Sequence, residues 1–277
     1  TNPDVIALFA KAAVDFFNQN PGRDMFSLSP NDGSGFCTCA PCRALDNGVR
    51  ADGRPILTDR LITFYNAIAE SVAKVHPDKL LGAYAYSYYR EPPVKVRPHP
   101  NLYLVNATNT AYHQGVGWPE ENAMEQQWRA VSKHLAKYDI YYSPDSSLNL
   151  IAPVTRHLVE KLRAESRNGI EGGYLYMGQS YEQLGAGHLL LAKLMWDPET
   201  DVEALARDYY GSLYGAAAEK VQAYYDLLET RLIQAKHRPR LDTEVAAIRL
   251  ALRKHPGLGS PAFILSAYEP ILDEATA

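Results

Sequence analysis

The sequence predicts an α/β protein, the C-terminal part of a (β/α)8 (TIM) barrel with about five parallel strands, followed by a helical region. Three observations carry that prediction. Short apolar stretches near residues 25, 80, 102, 140 and 172 are separated by stretches of helical period, the order that gives right-handed βα units and a parallel sheet. No Gly-x-Gly-x-x-Gly or phosphate-binding loop accompanies them, and an open doubly wound sheet normally carries such glycines. From Tyr181 onward the pattern is helical and no further strand follows. The expected division is a partial barrel over 1–180 and a helical C-terminal region over 181–277. A complete open α/β domain is the structural alternative.

Each element follows from local signals. Asn2-Pro3-Asp4, with Val5, Ile6, Phe9, Ala13, Phe16 and Phe17 behind it, combines an N-cap, a proline in the first turn and a helical period, ending near Asn20-Pro21-Gly22. Met25 to Ser29 alternates as a strand and stops at Pro30-Asn31-Asp32-Gly33. Ser34 to Pro55 is a long excursion rich in Gly, Cys, Asp and Asn, a composition that needs a function or a staple. Helix resumes at Asp59, with Leu61, Phe64, Tyr65, Ile68, Ala69 and Val72 on one face, as far as His76-Pro77. Leu80 to Tyr88 and Leu102 to Asn106 read as strands, Ala123 to Tyr138 as a helix, and Ile140-Tyr141-Tyr142 as a strand closed by Ser143-Pro144-Asp145. Val154 to Arg167 is a helix that Asn168-Gly169 would terminate, and Gly172 to Met177 is the last strand. Helix then runs from Tyr181 to Gln234 with breaks at Trp196-Asp197-Pro198 and Tyr214-Gly215, and a final helix covers Val245 to Lys254. At the first break Trp196 is expected to bury, with Asp197 capping the next helix.

Composition narrows the function. The 277 residues carry 28 Lys+Arg against 32 Asp+Glu, a net charge of -4. That excludes a basic protein that coats nucleic acid. With 46% hydrophobic and 22% charged residues the chain can bury a large core. No run approaches the ~18 apolar residues of a membrane span; the longest candidate, Leu189 to Met195, is interrupted by Lys193.

In a barrel the loops after the strand C-termini build the site. They offer Asn31 and Asp32 after the first strand, Tyr86, Tyr88, Arg90 and Glu91 after the second, Asn106 and His113 after the third, Tyr142 and Asp145 after the fourth, and Gln179 after the last. This lining is polar and aromatic with few carboxylates. It suits a neutral carbohydrate, whose hydroxyls need donors and acceptors and whose ring faces stack on tyrosines, of which the chain has 19. Asp32 is the one carboxylate well placed for acid or base work, although Asn-Asp-Gly is also an ordinary turn sequence. Glu91, before Pro92-Pro93, reads as solvated, and Glu171 lies at the opposite end of its strand.

All three cysteines fall within Cys37-Thr38-Cys39-Ala40-Pro41-Cys42. Three thiolates so close can share a structural Zn²⁺ with a fourth ligand from Asp46, a His or a residue upstream. The alternative is three free thiols. Nothing in the pattern calls for a catalytic cofactor.

Ser29-Pro30-Asn31-Asp32-Gly33, Gly35-Phe36-Cys37 with Cys39 and Cys42, Ala83-Tyr84-Ala85-Tyr86 with Pro92-Pro93, and Leu191 to Pro198 together resemble the bacterial domain of unknown function family 4838, in order over residues 1 to 230. That family resembles barrel glycoside hydrolases of the alpha-glucuronidase and beta-hexosaminidase type. The resemblance implies an N-terminal domain upstream in a longer chain, export to the periplasm or exterior, and a role for Asp32 as general acid or substrate-orienting carboxylate. It also strengthens the zinc reading of Cys37, Cys39 and Cys42. Family members tend to carry a Glu near the end of the last strand, where this chain has Tyr176-Met177-Gly178-Gln179.

The expectation is a glycoside hydrolase-like segment with Asp32 as the catalytic carboxylate. Its substrate-binding groups would be Asn31, Tyr86, Tyr88, Asn106, His113, Tyr142 and Gln179. Its partner is a carbohydrate, with no nucleic acid and no membrane span. A non-catalytic carbohydrate-binding protein on the same scaffold is the alternative, and a purely structural module is a third reading.

Overall fold

The computed structural model describes residues 2–51, 53–108, 118–140, 155–176 and 181–236. Helix α1 (Pro3–Gln19) starts as its sequence requires: the Asn2 side chain accepts the Asp4 N–H at 2.9 Å, and Pro3 sits in the first turn, where its missing N–H leaves no bond unmade. Strand β1 (Met25–Ser27) leads through the short helix α2 (Ala40–Arg43) to α3 (Thr58–Ala73), which buries Ile62, Tyr65, Ile68, Ala69 and Val72 at helical spacing. Strands β2 (Leu80–Ala85) and β3 (Leu102–Thr108), helix α4 (Trp118–Val131), β4 (His134–Ile140), α5 (Thr155–Arg167) and β5 (Gly173–Tyr176) follow.

The fold is α/β. The five strands lie side by side strictly in chain order, all parallel, in a sheet curled into half a barrel. Leu81 pairs with Leu102, and Leu104 with Leu135. Because successive side chains alternate in direction, one sheet face carries Leu81, Ala83, Ala85, Leu102, Leu104 and Leu135, which pack on Ala13 and Phe17 of α1, on α3 and on Trp128 of α4. Each fully buried leucine there contributes about 1.5–3 kcal/mol. The other face carries Gly82, Tyr84, Tyr103 and Tyr138. A Cβ on Gly82 would meet Met25 Sδ at 2.7 Å and displace that flexible side chain, whereas a Cβ on Gly173 would run into the Lys137 carbonyl of the neighbouring strand.

The expected boundary between the fourth helix and the fourth strand is corrected. The chain breaks after Val131, and His134 to Ile140 forms the strand, where helix was expected as far as Tyr138; residues 141 and 142 of the expected strand lie outside the described residues. Lys137 and Asp139 lie on the helix-facing side of β4, opposite Asn106 and Thr108. Lys137 is buried between Glu125 of α4 and Glu165 of α5, with its Nζ 3.2 Å from Glu165 Oε1. An ammonium flanked by two carboxylates makes that interior position tenable.

The described helical region consists of α6 (Tyr181–Trp196), α7 (Val202–Tyr214) and α8 (Ala218–Lys236), with breaks where the sequence places them. Leu190, Ala206 and Tyr210 form a core joined by Tyr209, Tyr214 and Tyr225. Burial, then the neighbouring Tyr225, pushes the Tyr210 hydroxyl well above the usual phenol range. Two readings at the first break are overturned. Trp196 is 90% exposed, because the phase that turns Leu190, Leu191 and Leu194 inward turns it outward. The cap of α7 is Asp201, which accepts the Ala204 N–H, whereas Asp197 accepts Glu199 N–H within its own turn. The helix expected over Val245 to Lys254 lies outside the described residues. Among the described residues no helix is long and apolar enough to cross a membrane.

Candidate functional site

The C-terminal ends of β1 and β2 carry the candidate site. Just past β1, Asn31 and Asp32 are exposed, and Asp32 Oδ1 accepts the Gly33 N–H at 3.0 Å in a turn that Gly33 completes at φ 125°. Tyr86 leaves β2 in extended conformation, 40% exposed, and the chain then enters a 3₁₀ turn over Ser87–Tyr89. Ser87 has φ 49°, the only positive φ at a non-glycine among the described residues. Such a conformation costs about 1–3 kcal/mol, and surrounding bonds must hold it.

Those bonds come from the long loop after β1. Arg50 donates to the Ser87 carbonyl and grips Glu91 with Nε at 2.6 Å and Nη2 at 2.5 Å. Leu57 N–H donates to the Tyr88 carbonyl, Thr58 Oγ1 to the Glu91 carbonyl, and Trp128 Nε1 to the Arg90 carbonyl. Asp59 accepts the Val94 and Lys95 N–H groups. The ring of Phe36 meets Tyr88 and Tyr89 at 5.8 and 5.9 Å, and the Arg54 guanidinium lies 5.9 Å from the Tyr88 centroid. Tyr89 is pushed up to about 12 by burial first, then by the charges of Tyr86 and Asp32.

Asn31 and Asp32 thus follow β1, and Tyr86 and Tyr88 follow the neighbouring β2, on the rim formed by the C-terminal ends of these two strands. Glu91 is tied to Arg50 rather than solvated, and Asp46 and Asp59 are engaged by Arg60 and by backbone N–H groups. Among the described carboxylates of this rim, Asp32 alone is exposed with only its own turn as hydrogen-bond partner. Asn106 is elsewhere: it is buried on the helix-facing side of β3, beside Ala85 and Lys137, and its amide N and O have no hydrogen-bond partner among the described residues. His113, Tyr142 and Gln179 lie outside the described residues.

The opposite sheet face holds tyrosines that sequence reasoning did not combine. Tyr138 stacks on Tyr174 with centroids 4.5 Å apart, and the Tyr84 and Tyr174 hydroxyls are 3.4 Å apart. Burial, followed by the Tyr174 hydroxyl, pushes Tyr84 up to about 12. The clustering of tyrosines was visible in the sequence, but Tyr138 joins them only once residue 138 is on a strand.

None of the three cysteines is in a disulfide; Cys42 is buried and the other two are exposed. Their sulfurs all lie within 4.8 Å of one another, and Cys37 Sγ is 3.3 Å from Cys39 Sγ. Arg60 of α3 holds both flanks of the cluster, donating through Nη1 to the Cys37 carbonyl at 2.7 Å and through Nε and Nη2 to both oxygens of Asp46. The Cys42 N–H bond to Cys39 pulls that thiol down, but hydrogen bonds with the Cys37 and Cys42 thiols outweigh it and leave Cys39 above its ordinary value. Such a cluster can hold a metal ion, and its donors suit a thiophilic one.

No curated protein and no solved structure matches the chain. A family model described as a domain of unknown function (DUF4838) matches residues 1–226. The match takes in the Asp32 rim, the cysteine cluster, all five strands and α6 and α7, and the chain belongs to the DUF4838 family.

Proposed function

We propose that the chain is a glycoside hydrolase-like domain that acts on the glycosidic bonds of an oligosaccharide, and that its half-barrel is the C-terminal part of a (β/α)8 barrel. Asp32 is the acid or substrate-orienting carboxylate, and Asn31, Tyr86 and Tyr88 bind the sugar beside it. The observation that carries this reading is Asp32 itself, an exposed carboxylate free of ion pairs on an aromatic rim at the strand C-termini. Glycosidic cleavage needs a proton donor at the leaving oxygen and a second carboxylate as base or nucleophile. The cysteines serve as a structural zinc clip, with no part in bond cleavage.

A second reading, a non-catalytic carbohydrate-binding protein, is favoured by the engagement of Asp46, Asp59 and Glu91, which leaves the described rim without a second unengaged carboxylate. A panel of aryl glycosides and oligosaccharides, tested for turnover and for binding by calorimetry, separates the two. Asp32→Asn should abolish turnover and retain binding. Turnover equal to the parent chain would remove Asp32 from catalysis, and binding without turnover in the parent chain would select the second reading.

A further inference from the structure

We propose that Cys37, Cys39 and Cys42 bind one zinc ion whose fourth position is open to solvent or an added ligand, and that this ion holds the rim segment carrying Asp32 in place. The inference rests on the zinc reading above and adds control of the rim to it.

The geometry is that of a thiolate knuckle. Cys39 precedes the first turn of α2 and Cys42 sits within it, which brings their sulfurs together. In a tetrahedral site with Zn–S bonds of about 2.3 Å, sulfurs stand about 3.8 Å apart. The three sulfurs here reach that spacing with side-chain adjustments alone, since all lie within 4.8 Å of one another. Among the described residues no fourth Cys, His, Asp or Glu joins the group, and Asp46, the nearest carboxylate in sequence, is held at two points by Arg60.

The segment itself supplies the reason for control. From Asn31 to Pro41 every residue is exposed except Phe36, which is half-buried. Hydrophobic burial therefore cannot fix this stretch, and a metal crosslink can. Phe36 adjoins Cys37 and places its ring against Tyr88 and Tyr89, and Asp32 lies four residues before Phe36 in the same exposed stretch. An ion at the cysteines thus fixes Phe36, and Phe36 fixes the separation of Asp32 from the tyrosines after β2. Arg60 anchors the Cys37 carbonyl to α3, so the crosslink bears on a rigid element.

The test uses the whole chain with zinc as the only added ligand. Bound metal is measured by mass spectrometry, and trypsin cleavage after the exposed Arg43 is timed for the zinc form and for protein stripped by a chelator. We expect about one zinc per chain and cleavage slowed about tenfold or more by zinc, because proteolysis follows the population of the locally opened segment. Cys39→Ser should lose both effects, and Asp32→Asn should keep both. Fluorescence of the buried Trp128 reports whether each form retains its core, so that the chelated parent chain decides the matter if Cys39→Ser fails to fold. Stoichiometric zinc with equal cleavage in both forms overturns control of the rim alone; no zinc overturns the metal reading as well. Failure of the carbohydrate reading looks different, as a chain protected by zinc that binds no sugar.

Discussion

Glu91 receives Arg50 at two points, Nε at 2.6 Å and Nη2 at 2.5 Å, across forty-one positions of sequence. The pair ties the loop after β1 to the loop after β2, and Arg50 also braces the carbonyl of Ser87, whose backbone is in the left-handed region. Arg50→Ala should therefore lower stability by about 1.5–3 kcal/mol, the range for charge-assisted bonds. Urea unfolding of the two proteins checks this. Ser87→Gly in the parent background should be neutral or stabilising, since glycine relieves the strained φ.

Lys137 offers a sharper test of the interior. Lys137→Met removes the ammonium from between the buried Glu125 and Glu165 and should cost about 3–5 kcal/mol. Converting Glu125 and Glu165 to Gln as well should restore part of the loss, which a thermal melt of the single and triple variants would register. Equal stability of Lys137→Met and the parent would mean that the three groups are not coupled.

Alkaline pH acts through the raised phenols. Tyr84 and Tyr89 ionise near pH 10 when unfolded and are pushed up to about 12 in the folded chain. The folded state holds these protons more tightly, so their contribution is fully present below pH 10 and is lost as pH rises toward 12. Unfolding midpoints should be flat with respect to these groups below pH 10 and decline above it. Tyr89→Phe should shallow that decline, and an unchanged slope would detach Tyr89 from it.

Trp196 and Trp128 stand at opposite extremes of exposure, 90% and 1%. Iodide should quench Trp196 strongly and spare Trp128. Trp196→Phe should remove a quenchable, red-shifted component with little effect on stability, within about 0.5 kcal/mol.

Much of this architecture is legible in the chain because its signals are local. Asn2-Pro3 with a 3.6-residue apolar period specifies α1, and the apolar runs at Met25, Leu80 and Leu102 specify three strands. Strand ends then locate Asp32 and Tyr86. Where the reading failed, a distant partner reversed the meaning of a residue. The stretch up to Tyr138 reads as helix, yet Lys137 and Asp139 are buried on the sheet, and Lys137 is neutralised by carboxylates from two helices. Glu91 read as solvated because Arg50 is remote in sequence. Trp196 read as core because tryptophan usually is, whereas its position at the end of α6 turns it outward.

The strict succession of β1 to β5 also bears on how the chain assembles as it is made. Each strand's earlier partner has already been synthesised when the strand appears, so the sheet can grow from one edge in the direction of translation. The steps are unequal. Leu102 meets Leu81 after a short crossover, whereas Leu80 meets Met25 only after the cysteine loop and α3 have been traversed. The largest loop-closure cost in the first half of the sheet therefore falls on the β1–β2 junction. Closing that junction is the same event that brings Asp32 and Tyr86 onto one edge, so the rim and the slowest pairing of the sheet are completed together.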